Sequence, residues 1–190
     1  MKQLLSAALL LAAAAFAQDF KVGSQVTDFN LTDVDGKSVN WSSVKGDVTV
    51  ILFIATQCPI SNDYNERMNA VYRDYAPKGL KFVAINSNAS EAADEVREHA
   101  RKHQFPFAVY KDPGNVVADR FNAQVTPEIF VVDRAGAVRY HGYIDDSRNP
   151  ARIQKQGLRT ALDAVLAGKA PEVAQTKAFG CTIKRAKRTT

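Results

Sequence analysis

The sequence of 190 residues has only two cysteines, Cys58 and Cys181, and they are far apart. A disulfide-dense scaffold and a local thiolate metal motif are both excluded, so stability has to come from a hydrophobic core. After residue 16 no stretch stays apolar for the roughly 20 residues that a membrane-spanning helix needs. Internal repeats and low-complexity tracts are absent as well, which excludes solenoid and fibrous architectures. The net charge of +5 is modest, and much of it sits in Lys184-Arg185-Ala186-Lys187-Arg188. A basic end of that kind is ordinarily solvated, so no nucleic-acid partner is expected.

The chain opens with Met1-Lys2, an apolar run over residues 4–16, and Ala15-Phe16-Ala17 before the polar Gln18-Asp19. A basic start, a short apolar run and small residues two apart make a secretory signal peptide, cut after Ala17. The expected organisation is a signal peptide over 1–17, one folded domain over 18–170, and a C-terminal tail over 171–190 that carries Cys181. An exported protein, periplasmic or secreted, has no membrane span after signal cleavage, and its compartment allows the two cysteines to be joined.

Within the domain, Phe29-Asn30-Leu31-Thr32 and Ser38-Val39-Asn40-Trp41 alternate around Asp35-Gly36, which predicts a hairpin. Residues 48–54 and 79–85 are apolar runs of the kind buried on both faces of a central sheet. Between them, Tyr64, Met68, Val71, Tyr72 and Tyr75 fall on one stripe of a helix over 61–75, with Ser61 or Asn62 at its start. A polar helix over 91–103, a strand over 107–110, a short helix over 115–121, strands over 129–132 and 138–143, and a last helix around Leu158 to Leu166 follow. Strands alternating with helices describe a three-layer α/β domain.

Cys58 stands just after a buried strand and at the opening of a helix. Its sulfur is expected where unpaired backbone N–H groups converge, a setting that stabilises a thiolate. Pro59 suits the first helical position, because the N–H it lacks would be unpaired there anyway.

Ala55-Thr56-Gln57-Cys58-Pro59-Ile60-Ser61 between strand and helix, with Val125-Thr126-Pro127-Glu128 before a later strand, resembles the thioredoxin superfamily. The long N-terminal hairpin and single reactive cysteine resemble its peroxiredoxin-like, or redoxin, branch, the alkyl hydroperoxide reductase and thiol-specific antioxidant family. The likeness runs from about Val26 to Leu166. It implies a thioredoxin-like three-layer fold with a central mixed sheet and an N-terminal hairpin extension, and a cis bond between Thr126 and Pro127 facing Cys58. It also implies a thiol-dependent oxidoreductase without cofactor, acting on a small-molecule peroxide or on a protein or small-molecule disulfide, with a thiol as reductant.

Two departures matter. Ser61 replaces the second cysteine of the thioredoxin pair, so Cys58 has no local partner. The peroxiredoxin pattern Pro-x-x-x-Thr-x-x-Cys is met by Ile51 and Ala55, with Thr56 one residue late. Thr56, Thr126, Pro127 and Cys58 are the candidate catalytic residues. Arg120 ranks ahead of Arg67, Arg134 and Arg139 as a candidate cation to steady the thiolate, and a solvated surface role is the competing reading for each. Cys181 has three readings: a resolving thiol, a permanent structural disulfide with Cys58, or an unpaired residue. An alternative makes the protein an exported copper-binding metallochaperone through Cys58, His141 and Cys181. Glu128 is either a carboxylate near the sulfur or a solvated strand-edge charge, and the acidic loop over 142–147 either binds a partner or a cation or closes a capped turn.

Overall fold

A computed structural model describes residues 19–187, and the expected signal peptide lies outside the described residues. The hairpin forms from β1 (Asn30–Asp33) and β2 (Ser38–Asn40). Its turn is closed where Asp33 Oδ1 accepts the N–H groups of Asp35 and Lys37, and Gly36 takes a φ of +85°, a conformation open to a residue without Cβ. Trp41 does not extend the hairpin. It opens α1 (Trp41–Val44), because the Asn40 side chain accepts the Ser42 N–H and caps a helix there.

The remaining elements are β3 (Val48–Phe53), α2 (Pro59–Asn62), α3 (Asn65–Tyr75), β4 (Leu80–Asn86), α4 (Ala93–Lys102), β5 (Val109–Lys111), α5 (Val116–Arg120), β6 (Val125–Thr126), β7 (Glu128–Val132), β8 (Val138–Gly142), α6 (Gly157–Leu166) and β9 (Cys181–Thr182). Seven strands form one mixed sheet in the order β2-β1-β5-β4-β3-β7-β8, with β3, β4 and β5 parallel and β7 antiparallel to β3. Every residue of β3 is buried, as its sequence, apolar except for Thr49, leads one to expect. Val50, Leu52 and Ile54 join the core under α3 and α6 with Met68, Val71, Leu158 and Leu162. Ile51 and Phe53 point the other way, into a second core with Trp41, Val117, Phe121 and Phe130. The three layers are therefore helix, sheet and helix.

Two features differ from the sequence reading. The expected helix over 61–75 is two helices, α2 and α3, separated at Asp63 and Tyr64. The tail, whose sequence has no clear periodicity, is bound to the body at several points over its described residues 171–187. His141 donates its N–H to Ala174 O (3.0 Å) and accepts the Thr176 N–H (2.9 Å), and farther on β9 pairs antiparallel with β6. Neither contact has a periodicity in the tail, because its partners are loops and edges of the body.

Candidate active site

The site forms at the carboxyl end of β3, where open α/β sheets place theirs. Cys58 is the N-cap of α2 and is 4% exposed, and its Sγ accepts the Ser61 N–H at 3.3 Å. Ser61 is not the cap but lies inside this first turn. Its buried hydroxyl accepts the Ala55 N–H (3.2 Å) and closes the loop on itself. Asn62 Nδ2 adds a bond to Thr56 O (2.9 Å). Across from the loop, the Thr126–Pro127 peptide is cis, and Thr126 O lies 3.5 Å from Cys58 Sγ.

Cys181 arrives on β9, paired with Thr126, and is joined to Cys58 in a disulfide with a Cα–Cα distance of 5.9 Å. Residues 123 apart in sequence thus meet at one sulfur. Gly180 fits directly against Thr126, where a Cβ would overlap the Thr126 carbonyl. Only glycine permits so close an approach of two backbones.

Two buried carboxylates brace the two sides of the bridge. Glu91, 4% exposed, accepts the N–H groups of Thr56 (2.8 Å) and Gln57 (3.2 Å) and the side-chain amides of Asn86 and Asn88 (2.9 Å). Burial pushes its pKa up, but the hydrogen bonds from Thr56, Asn86 and Gln57 outweigh it and hold the carboxyl below its ordinary value. Lys111 Nζ caps the same cluster through Asn86 Oδ1, Asn88 O and Glu91 O. Glu128, also 4% exposed, is not a solvated edge charge. Its Oε2 accepts the N–H groups of Gln124 (2.7 Å) and Val125 (3.0 Å), and its Oε1 lies 2.6 Å from His141 Nε2. It therefore fixes the turn that leads into β6.

A model of the AhpC/TSA family matches residues 22–141, which span the hairpin, the Cys58 loop, the cis-proline and β8. The chain belongs to the AhpC/TSA family. Among curated proteins it is similar to the thiol-disulfide oxidoreductase ResA of Bacillus cereus, at 25% identity over 121 residues, 64% of this chain and 69% of ResA. Among solved structures it is similar to an uncharacterized conserved protein from Geobacillus kaustophilus, at 35% identity and a TM-score of 0.82, covering 90% of this chain and 95% of the other. A hypothetical protein from Sinorhizobium meliloti 1021 is similar at 31% identity and a TM-score of 0.78, covering 89% and 97%.

In this AhpC/TSA chain the arginines proposed to steady the thiolate are engaged elsewhere. Arg120 lies over the Phe20 ring, 4.3 Å from its centroid, and donates to Asp28 O (2.8 Å) and to Thr27 Oγ1. Its aliphatic stem and flat head suit that apolar wall, which explains why it turns away from Cys58. Arg67 pairs with buried Asp145 (2.6 Å), Arg134 with Asp47 (2.6 Å) and Arg139 with Asp133 (3.3 Å). The Arg67–Asp145 pair also accounts for the acidic loop as an internal contact. The thiol environment is therefore built from neutral donors.

The metallochaperone ligand set is not assembled. Both sulfurs are bonded to each other, His141 Nε2 is engaged by Glu128, and its ring stacks on Phe130 with centroids 4.2 Å apart. Among the described residues no three His, Cys, Asp or Glu side chains converge to hold a metal. Sequence reasoning missed Glu91, Asn86 and Asn88. The available signal was Asn86-Ser87-Asn88 at the end of a mostly apolar strand, a place where buried amides need partners.

Proposed function

We propose that this member of the AhpC/TSA family is an exported thiol–disulfide oxidoreductase in which Cys58 attacks and Cys181 resolves. The observation that carries the reading is the Cys58–Cys181 bridge itself: Ser61 cannot supply a second thiol, and Cys181 reaches the same sulfur opposite Thr126 and Pro127. In the reduced protein the Cys58 thiolate, held by the Ser61 N–H, attacks one sulfur of a partner disulfide. That S–S bond breaks, a mixed disulfide with Cys58 forms, and the other partner sulfur leaves as a thiolate and takes a proton. The Cys181 thiolate then attacks the Cys58 sulfur, closes the intramolecular bridge and releases the second partner thiol. An external dithiol reopens the bridge by two further exchanges and is itself oxidised to a disulfide.

Support comes from the name of the ResA relative and from the loop chemistry. Ile51 and Ala55 stand where a peroxide pocket would use proline and threonine, and both are buried in the core. A hydroperoxide would reach the same end by a different first step, giving a Cys58 sulfenic acid and an alcohol, then the bridge and water. Export rests on the sequence of residues 1–17 and on a bridge that persists in an oxidising compartment.

Thiol trapping with mass spectrometry, during turnover of a model protein disulfide by a dithiol, tests this. Cys58→Ser should abolish turnover, and Cys181→Ser should stall as a mixed disulfide on Cys58. Undiminished turnover by Cys58→Ser, or a bridge that no dithiol opens in the folded protein, overturns the reading. Running hydrogen peroxide in parallel shows which oxidant closes the bridge faster.

A further inference from the structure

Glu128 follows the cis-proline and His141 stands on the neighbouring strand β8, and the exchange chemistry above gives neither a role. Their side chains meet at 2.6 Å, Oε1 to Nε2, and both are held in place. The second oxygen of Glu128, Oε2, accepts the N–H groups of Gln124 (2.7 Å) and Val125 (3.0 Å), and the His141 ring stacks on buried Phe130. Each residue also governs one approach to the bridge. Gln124 and Val125 lead into β6, where Thr126 stands opposite Cys181. The backbone of His141 grips the tail through the Ala174 carbonyl (3.0 Å) and the Thr176 N–H (2.9 Å), a short way before Cys181. Between these two anchors lies a cavity of about 600 Å³, lined by Glu128 and His141 of the body and by Gln175, Thr176, Lys177 and Ala178 of the tail. The stretch that delivers Cys181 is therefore open underneath, and the anchors on either side of it, with Phe179 against Tyr64, decide where the sulfur stands.

We infer that Glu128 and His141 are positioning residues: their side-chain link locks the entry to β6 and the tail to each other, keeps Cys181 close to Cys58 after the bridge opens, and so sets the reduction potential of the bridge. The inference rests on the thiol–disulfide reading above. How readily two thiols of one chain close a disulfide is set by the effective concentration of one at the other, and a fixed segment gives a higher value than a swinging one. The link bonds neither sulfur and acts through backbone alone. Breaking it lets the turn before β6 and the tail move separately, which lowers that concentration and makes the bridge easier to reduce. Cys58 itself stays as it was, because its loop is braced from the other side by Glu91.

The test equilibrates the full-length protein with mixtures of reduced and oxidised dithiothreitol and counts the bridged fraction by thiol trapping and mass spectrometry. Each bridge that opens gains two electrons and two protons and becomes two thiols, and one dithiothreitol becomes its cyclic disulfide. His141→Phe keeps a ring to stack on Phe130 and removes Nε2, whereas Glu128→Gln removes the carboxylate. Each should shift the equilibrium about fivefold toward the dithiol protein, a potential less negative by about 20 mV. The double variant should shift it no further than the larger single change, because one link is broken in all three. Two readouts separate positioning from general loss of structure. The alkylation rate of Cys58 in the reduced variants should match that of the parent, and Tyr75→Phe, which removes a hydrogen bond to Asp163 between α3 and α6, should leave the equilibrium where it was. An unmoved potential in the single variants, additive shifts, an equal shift in Tyr75→Phe, or a Cys58 alkylation rate changed by the same factor overturns the inference and leaves the thiol–disulfide reading intact. A bridge that no dithiothreitol mixture opens in any of these proteins removes that reading itself, and the inference with it.

Discussion

The two sulfurs of one bridge are held by two kinds of architecture. Cys58 stands where a buried strand gives way to α2, and the N–H groups of Ala55, Thr56 and Gln57 and the Thr56 carbonyl are each tied to a body side chain. Cys181 sits on a two-residue strand in a tail held by main-chain bonds, by the apolar side chains of Phe179 and Ile183, and by Arg185 beside Asp119. The first holder is part of the folded body. The second is a separate segment laid onto that body, an arrangement that suits the proposed roles of an attacking thiol on one side and a resolving one on the other.

The sharpest way to break that contrast is to remove the brace behind Cys58. Glu91→Ala strips acceptors from the N–H groups of Thr56 and Gln57 and the amides of Asn86 and Asn88. With each unpaired donor costing about 1–3 kcal/mol and water offsetting part of it, a loss of about 4 kcal/mol is expected in urea denaturation. Acid should act in the same direction. The folded carboxyl titrates below its ordinary value, so its contribution is complete above the ordinary carboxylate range and fades as pH falls below it. A loss under about 1 kcal/mol would mean that the Cys58 loop holds itself, without Glu91.

Reducing the bridge probes the other side. Closing a 100-residue loop is worth about 4.7 kcal/mol in the chain-entropy model, and this one spans 123 residues. A tail that leaves on reduction relaxes the folded state too, so the measured loss should be smaller, about 2–4 kcal/mol. Hydrogen exchange reads the same event by residue. The amides of Ile183, Lys184 and Ala186 should lose protection on reduction, whereas those of Ala55, Thr56 and Gln57 keep theirs. Uniform protection in both states would erase the distinction between the two holders.

What the sequence made legible follows this division. β3 and β4 announce themselves as apolar runs, α6 by its periodicity, and Cys58 by its place between strand and helix, because each follows from local pattern and burial. The path of the tail does not. Its backbone bonds to Gln124, Asn88 and Asn115 leave no repeating mark in 171–187, and Ile183 is one apolar residue in a basic stretch. The break between α2 and α3 was equally silent, since Tyr64 keeps the helical stripe while its backbone serves as the cap of the next helix. Glu91 looked like the start of a polar helix because its partners come from β4 and the Cys58 loop, brought together only by the sheet.

A smaller effect lies behind the Glu91 brace. His99 on α4 has its pKa pulled down to about 4, first by burial and then by the neighbouring His103 and Lys102, with Glu91 opposing. The unfolded state therefore binds the extra proton between about pH 6.5 and 4, and stability falls with pH across that window. Because the ring is half-buried, solvent screening limits the effect to about 1–2 kcal/mol. His99→Gln should flatten the slope between pH 7 and 4.5 in denaturation midpoints. If the slope survives, His99 is not its source, and the Cys58 side has one titrating brace, Glu91, which acts only at lower pH, rather than two.

The least effect is expected at an arginine that the sequence offered as a candidate. Arg120 was the leading cation for the thiolate, yet it covers Phe20 and ties Thr27 and Asp28 to α5. Arg120→Ala removes one stacked guanidinium at a partly exposed site, a loss of about 0.5–1 kcal/mol. The rate at which Cys58 in reduced protein reacts with an alkylating agent should stay within about twofold, the range of a substitution that touches nothing at the site. A drop of about tenfold would require roughly 1.4 kcal/mol of electrostatic support from Arg120 at the sulfur. The Ser61 N–H and the loop held by Glu91 would then be insufficient to hold the thiolate, and the attacking side would no longer be a unit built from neutral donors.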